Sequence, residues 1–216
     1  MGNSSCSLLI LGTSPFSLEI ADLASDIDGI EVAGFVENME PRSVPAELEG
    51  LPIYWVDEIA ELVESHKAVC SLGTTFRGRF TNQVADLGMN FITLLHPSAR
   101  ISSITSIGYG TIVSAGSIIA SYTQLGKHVI VNRGVLIGHH TKIGDYTTIL
   151  PGANIAGTCQ IGEAAFIGMG SIILNNLSIG SHSVIGAGAF VTKDVPDNVM
   201  VIGSPAQVLK RNIPGW

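Results

Sequence analysis

Residues 131–161 read VNRGVLIGHHTKIGDYTTILPGANIAGTCQI, and an aliphatic side chain returns at every sixth position: Val131, Ile137, Ile143, Ile149, Ile155 and Ile161. Counted outward in both directions, the series runs from Ile101 through Ile107 and Val113 to Ile185 and Val191, sixteen hexads with no insertion. The residue four places after each aliphatic is small or β-branched, as at Thr111, Ser117, Ala153, Cys159 and Ala165, with Leu177 the one large exception. A unit of six residues cannot hold a helix and a strand, so each hexad is read as a short strand and a turn, stacked on its neighbours into a solenoid. The aliphatic and the small residue are expected to point inward. Glycine often follows the aliphatic directly, as at Gly138, Gly144, Gly162 and Gly168, and is expected there to permit unusual turn angles.

Upstream of Ile101 the period changes. Strand-like SLLIL, IEVAGFV, PIYWV, AVCSL and NFITLL alternate with helix-like segments over Pro15 to Asp26, DEIAELVESH and Arg79 to Leu87. That alternation predicts a parallel α/β sheet, Rossmann-like in outline. Ser14 before Pro15, and Asp57 before its amphipathic run, are read as helix caps. The expected organisation is a Rossmann-like domain over 1–96, a parallel β-helix over 97–196 and a closing segment over 197–216.

Composition narrows the partners. The chain has 216 residues, 46% hydrophobic and 13% charged, with a net charge of −7. No apolar run approaches the roughly 20 residues of a membrane helix. The acidic balance offers no basic stripe for nucleic acid or an anionic membrane, so small molecules and other copies of the chain are the expected partners. Cys6, Cys70 and Cys159 are odd in number and far apart, which predicts free thiols rather than a disulfide or a metal site. The opening MGNSSCSLLILG lacks the basic region of a secretory signal, and Cys6 stands where a myristoylation motif wants Ser or Thr. A cytoplasmic protein is expected.

The hexads resemble those of the bacterial hexapeptide-repeat transferases. In that family a left-handed β-helix turns through three flat faces per coil, so that residues 18 apart stack. Handedness comes from the resemblance alone, since parallel crossovers are overwhelmingly right-handed. The ending DVPDNVMVIGSPAQVLKR is similar to the family's closing loop, Gly-x-Pro-Ala turn and short helix, with Ser204 as cap and Pro205 first in the helix. The α/β domain, the linker LLHPSARIS and the β-helix together resemble sugar acetyltransferases related to sialic-acid O-acetyltransferases and UDP-4-amino-sugar N-acetyltransferases. The likeness covers essentially the whole chain, and is strong over 92–208.

That resemblance implies acetyl-CoA as co-substrate, a sugar or nucleotide-sugar acceptor, and a homotrimer with active sites between neighbouring β-helices. Acyl transfer from a thioester needs a base for the acceptor proton and donors for the oxyanion. His139, two residues past the inward Ile137, should project from a turn, and imidazole titrates near neutrality. The family places its general base there, with an Asn seven residues earlier, here Asn132. An acidic residue commonly follows that base; this chain has His140, which cannot be an anionic partner. Stacking by 18 puts His139 beneath Gly157 and Gly157 beneath Asn175. The family's matching amide at Gly157 faces the acetyl oxygen. Family positions matching Met169 and Ala187, in a column with Pro151, line the coenzyme arm. Thr148 stands where relatives carry a His near the donor, and Lys193 is a candidate for a coenzyme phosphate. Cys159 occupies an inward slot and is read as a core thiol. His96 belongs to a linker motif, and His128 and His182 are isolated turn residues that give no metal-site spacing.

The first domain should select the acceptor. Relatives carry a glycine-rich turn with a His after the first strand, whereas this chain reads GTSPFS, keeping Gly12 alone. Ser14 and Pro15 open a helix whose Phe16 and Ser17 amides are expected to be free for a phosphate. Glu37 and Asn38 replace an acidic pair. The expected activity is acetylation of a sugar amine or hydroxyl, nucleotide-activated, for a bacterial surface glycan. The rival readings are a different acyl donor, a non-sugar acceptor, or a non-catalytic β-helical scaffold or binding module. The absence of an outward Thr ladder argues against an ice-binding solenoid.

Overall fold

The computed structural model describes residues 5–39 and 45–216, so the start of the opening segment read above lies outside the described residues. The chain divides into two compact units, one reaching Gly73 and resuming over Arg77–His96, the other comprising Thr74–Phe76 and Pro97–Trp216.

The first unit is built on β1 (Cys6–Leu11), α1 (Pro15–Ser25), β2 (Ile30–Glu37), β3 (Glu47–Leu48), β4 (Leu51–Trp55), β5 (His66–Cys70), α2 (Gly78–Asp86) and β6 (Asn90–Phe91). The sheet order is β3-β4-β2-β1-β5-β6, with β1 parallel to both β2 and β5 and only the short β3 antiparallel. Leu8 to Leu11 are wholly buried, as a central strand covered on both faces requires. The strand order reverses between β1 and β5, and their carboxyl ends bear Gly12 and Ser71. Such a crevice is the usual ligand position in an open α/β sheet.

Three local expectations fail in this unit. DEIAELVESH forms only a 3-10 turn over Glu58–Leu62, with Ile59 its buried residue and no side-chain cap from Asp57. The carboxylate of Glu58 instead accepts from the Trp55 amide at 2.8 Å. Ser14 has the extended backbone of an N-cap but makes no side-chain cap. The Ser17 amide is not free, because it donates to the Ser14 carbonyl at 2.8 Å.

The second unit is the solenoid. Two-residue strands 18 apart pair in parallel and in register, for example Leu136–Ile137 with Asn154–Ile155 and these with Ile172–Ile173. The coil therefore has three faces. The first runs from Arg100–Ile101 to Phe190–Val191, the second from Ser106–Ile107 to Ser178–Ile179, and the third carries Ile112–Val113 to Val184–Ile185 and continues into Val199–Ile202. The hexad aliphatics form one continuous core. Within it, buried hydroxyls satisfy turn carbonyls 15 residues ahead: Ser117 Oγ donates to Asn132 O at 2.8 Å, and Thr141 Oγ1 to Ala156 O at 3.1 Å. Polar side chains in the core thus replace the hydrogen bonds that turn carbonyls would otherwise lose.

Glycine serves a different purpose from the one expected. Positive φ falls three residues after the aliphatic, not one, and at two of the three corners it is borne by residues such as Tyr122, His140 and Tyr146. The glycine next to the aliphatic is required by close approach: a Cβ on Gly138 would lie 2.6 Å from the Ala156 carbonyl carbon, and one on Gly168 2.5 Å from the Ile185 oxygen. The closing helix is also corrected. Residues Gln207–Arg211 are a strand antiparallel to Val199–Ile202, because pairing satisfies their backbone groups on the edge of the third face. Ser204 and Pro205 lie in the connecting turn, across a cis peptide.

Candidate active site

The corner after the first face carries four coils of one column: His139, Gly157, Asn175 and Lys193 each stand two residues past an inward aliphatic of successive paired strands. The imidazole of His139 lies against Gly157, where a Cβ would come within 2.9 Å of its Cε1 and Nε2. Any side chain at 157 would displace the ring. Among the described residues, the Gly157 amide has no hydrogen-bond acceptor, while its neighbours do: Ala156 N donates to Ile173 O at 2.9 Å and Thr158 N to His139 O at 2.7 Å. A basic ring nitrogen and an open N–H therefore sit side by side at a partly exposed corner, the pairing that acyl transfer requires.

His139 and His140 meet through their Nδ1 atoms at 3.0 Å, with the rings nearly perpendicular. One Nδ1 must donate and the other accept. When His139 donates, its Nε2 carries the free lone pair, on the side of Gly157. His140 has a positive φ of 57° and stacks on Tyr122, with ring centroids 4.7 Å apart. Tyr122 is the residue one coil below His140, a partner that subtracting 18 from 140 would have found. A groove of about 440 Å³ beside them is lined by Ile104, Ser106, Gln124 and Lys142 as well.

The other family-matched positions fall elsewhere. Asn132, Met169 and Ala187 lie at the preceding corner, after the third face, where Gly170 N donates to Pro151 O and Gly188 N to Met169 O. Met169 and Ala187 are exposed and Asn132 is 4% exposed. A single chain does not bring these residues to His139. Thr148 is wholly buried on the third face, so its hydroxyl has no surface to offer a donor molecule, and that expected contact is withdrawn. Lys193 is exposed, two coils or about 10 Å above Gly157 at the usual strand spacing; adding 18 twice to 157 reaches it. Cys159 is a core thiol: it is buried, Sγ donates to Leu174 O at 3.2 Å, and burial raises its pKa, the opposite of an activated nucleophile.

In the first unit, Gly12 has φ 108° and no room for a side chain, since a Cβ would lie 2.9 Å from Leu72 Cδ2. Ser14 and Pro15 are exposed and Phe16 half-buried. Glu37 is buried and engaged: it accepts from Thr13 Oγ1 at 2.9 Å and from the amides of Asn38 and Met39. The Asn38 amide group donates to Gln83 at 3.0 Å. Both side chains brace the end of β2. His96, Nε2 2.9 Å from Asp26 Oδ2, is a structural contact. Among the described residues, no group of three or more His, Cys, Asp or Glu could hold a metal ion, and no helix is long and apolar enough to cross a membrane.

Comparison with known proteins gives these features a context. The family described as bacterial transferase hexapeptide (six repeats) matches residues 158–193. No curated protein matches the chain. Among solved structures, perosamine N-acetyltransferase from Caulobacter crescentus, a point mutant bound to CoA and GDP-perosamine, is 25% identical. It covers 94% of this chain and 97% of its own at a TM-score of 0.86. The acetyltransferase domain of PglB from Neisseria gonorrhoeae, in complex with acetyl coenzyme A, is 27% identical over 95% and 100% of the two chains, TM-score 0.86. WeeI from Acinetobacter baumannii is 25% identical over 95% and 100%, TM-score 0.84. The chain shares with them the Rossmann-like domain and the left-handed parallel β-helix. By repeat and by fold it is similar to the hexapeptide-repeat acetyltransferases.

Proposed function

We propose that this protein transfers an acetyl group from acetyl-CoA to an amine or hydroxyl of a nucleotide-activated sugar that is built into a bacterial surface glycan. The observation that carries the reading is the His139 imidazole lying against Gly157 with the Gly157 amide open. Support for the donor and the acceptor comes from the relatives bound to acetyl coenzyme A, CoA and GDP-perosamine.

Acetyl-CoA supplies the thioester; this chain's residues manage the charges and the proton. His139 Nε2 takes the proton from the acceptor nitrogen or oxygen as it bonds to the thioester carbon. The Gly157 N–H donates to the carbonyl oxygen as negative charge builds there, and the absent side chain leaves that approach clear. His139 then returns its proton to the departing sulfur as the carbon–sulfur bond breaks, leaving CoA thiol and acetylated acceptor. His140 positions the base through the Nδ1 contact. Lys193 lies along the same column, placed for a coenzyme phosphate.

Asn132, Met169 and Ala187 join this site from a neighbouring copy. The first face lies between the two corners, and its outward Ile118, Leu136 and Ile172, with Asn154 between the last two, are 42%, 39% and 46% exposed. An apolar stripe of that kind marks an interface. A homotrimer packed through it sets the Asn132 corner of one chain beside the His139 corner of the next, with Asn132 placing the acceptor. In the first unit the carboxyl edge of β1, with Gly12, Ser14, Pro15 and Phe16, receives the nucleotide.

Thiol release from acetyl-CoA by the purified protein, measured against UDP-, dTDP- and GDP-amino sugars, free sialic acids and serine, tests the proposal. Release dependent on a nucleotide amino sugar is expected. Release with serine alone would move the acceptor outside the sugars, and silence throughout, without acetyl-CoA binding, would leave a scaffold.

A further inference from the structure

We infer that Asn175 supplies a second donor to the carbonyl oxygen held by Gly157, and that the reaction requires this position to be uncharged; the inference rests on the acyl-transfer reading above. The solenoid contains its own reference for what an amide at this position binds. Lys127 and Ser181 stand, like Gly157, two residues past an inward aliphatic, at the corner after the second face. The Lys127 amide donates to Asp145 Oδ1 at 2.9 Å, and the Ser181 amide to Asp197 Oδ1 at 2.7 Å. Asp145 and Asp197 occupy the same hexad position one coil up, the second of them fixed by the bridge between Ile179 and Val195. An amide in this turn is therefore directed at an anionic oxygen, and a four-atom side chain one coil above reaches it.

At Gly157 the residue one coil above is Asn175, in register through Asn154–Ile155 and Ile172–Ile173. Its side chain matches aspartate in size but brings an NH2 group in place of a charged oxygen. With the thioester oxygen on the Gly157 amide, Asn175 Nδ2 is within the reach shown by Asp145 and donates to the same oxygen. Two donors converging on one oxygen make a complete oxyanion site. Aspartate at 175 would cap the amide itself, as Asp145 caps Lys127, and repel the charge that develops during transfer.

The test compares N175D, N175A and N175Q with the wild type, using an acceptor that the wild type acetylates. Loss of one oxyanion donor lowers kcat by about 100-fold, so N175A should fall by that factor with its KM for acetyl-CoA changed less than about 3-fold, N175D should fall at least as far, and N175Q should recover part of the loss. Affinity for CoA, which lacks the acetyl oxygen, should be the same in all four proteins, a result a merely structural role would not give. N175D or N175A turning over at the wild-type rate would overturn the inference while leaving acetyl transfer standing; a wild type inactive with every acceptor would instead remove the reading beneath it.

Discussion

Two corners of the same solenoid use one backbone turn for opposite ends. At the corner after the second face, carboxylates of Asp145 and Asp197 close the turn amides of Lys127 and Ser181. Rings fill the rest, with His128 stacked on Tyr146 and edge-on to Tyr109, both at centroid distances of 5.2 Å. At the corner after the first face, the Gly157 amide is open and His139 lies exposed against it. Fold and hexad register are shared, so the difference lies wholly in which side chains stand two and three residues past the aliphatic. The repeat allows an open amide at Gly157, a position that side chains one coil up fill at Lys127 and Ser181.

Removing the proposed base should separate the corners most sharply. His139→Ala is expected to lower kcat by about 1,000-fold, within the range for loss of a general base, with unchanged CoA affinity and melting temperature. Gly157→Ala comes next: the new methyl meets the His139 ring at 2.9 Å, and a fall in kcat of about 100-fold is expected from a displaced base and a crowded donor. Because φ at Gly157 is not positive, folding should be spared; circular dichroism and thermal melts check this. His140→Phe keeps an aromatic ring over Tyr122 but loses the Nδ1 partner, and should lower kcat about 10-fold with little change in KM, while His140→Gln, which restores an acceptor, recovers part of it. The smallest effect belongs to the closed corner. Asp145→Asn should cost about 1 kcal/mol in chemical unfolding through its weakened bond to Lys127 and leave turnover unchanged; a loss of activity there would erase the distinction between the corners.

The sequence displayed the solenoid more plainly than the domain before it. A hexad without insertions converts residue number directly into position, so the stacking of His139, Gly157 and Asn175 could be counted. The same arithmetic reaches Lys193, and Tyr122 beneath His140. It also separates Asn132 and Met169 from His139, because they follow strands of different faces. What counting does not reveal is which turn amides are already satisfied, since that depends on whether the side chain one coil up is long and charged enough to reach. Gly138 and its equivalents are ambiguous in sequence for a related reason: the pattern shows that glycine is needed, but not whether backbone angle or coil contact demands it. In the first unit, the sequence does not show that Ser17 and Glu37 are engaged, because the Ser14 carbonyl is turned to Ser17 by the first turn of the helix and Thr13 is brought to Glu37 by the pairing of β1 with β2. The ending VLKR has no strong helix or strand signature, and the open edge of the third face decided it as a strand.

Acetyl transfer at the open corner requires the acetyl carbonyl to sit on the Gly157 amide. A crystal structure of the protein with acetyl-CoA tests it most directly. The thioester oxygen is expected about 2.7–3.1 Å from the Gly157 nitrogen, the range of an oxyanion donor, with His139 Nε2 facing the space left for the acceptor. A thioester bound beyond hydrogen-bond reach of Gly157, with its carbonyl on another amide, would contradict it.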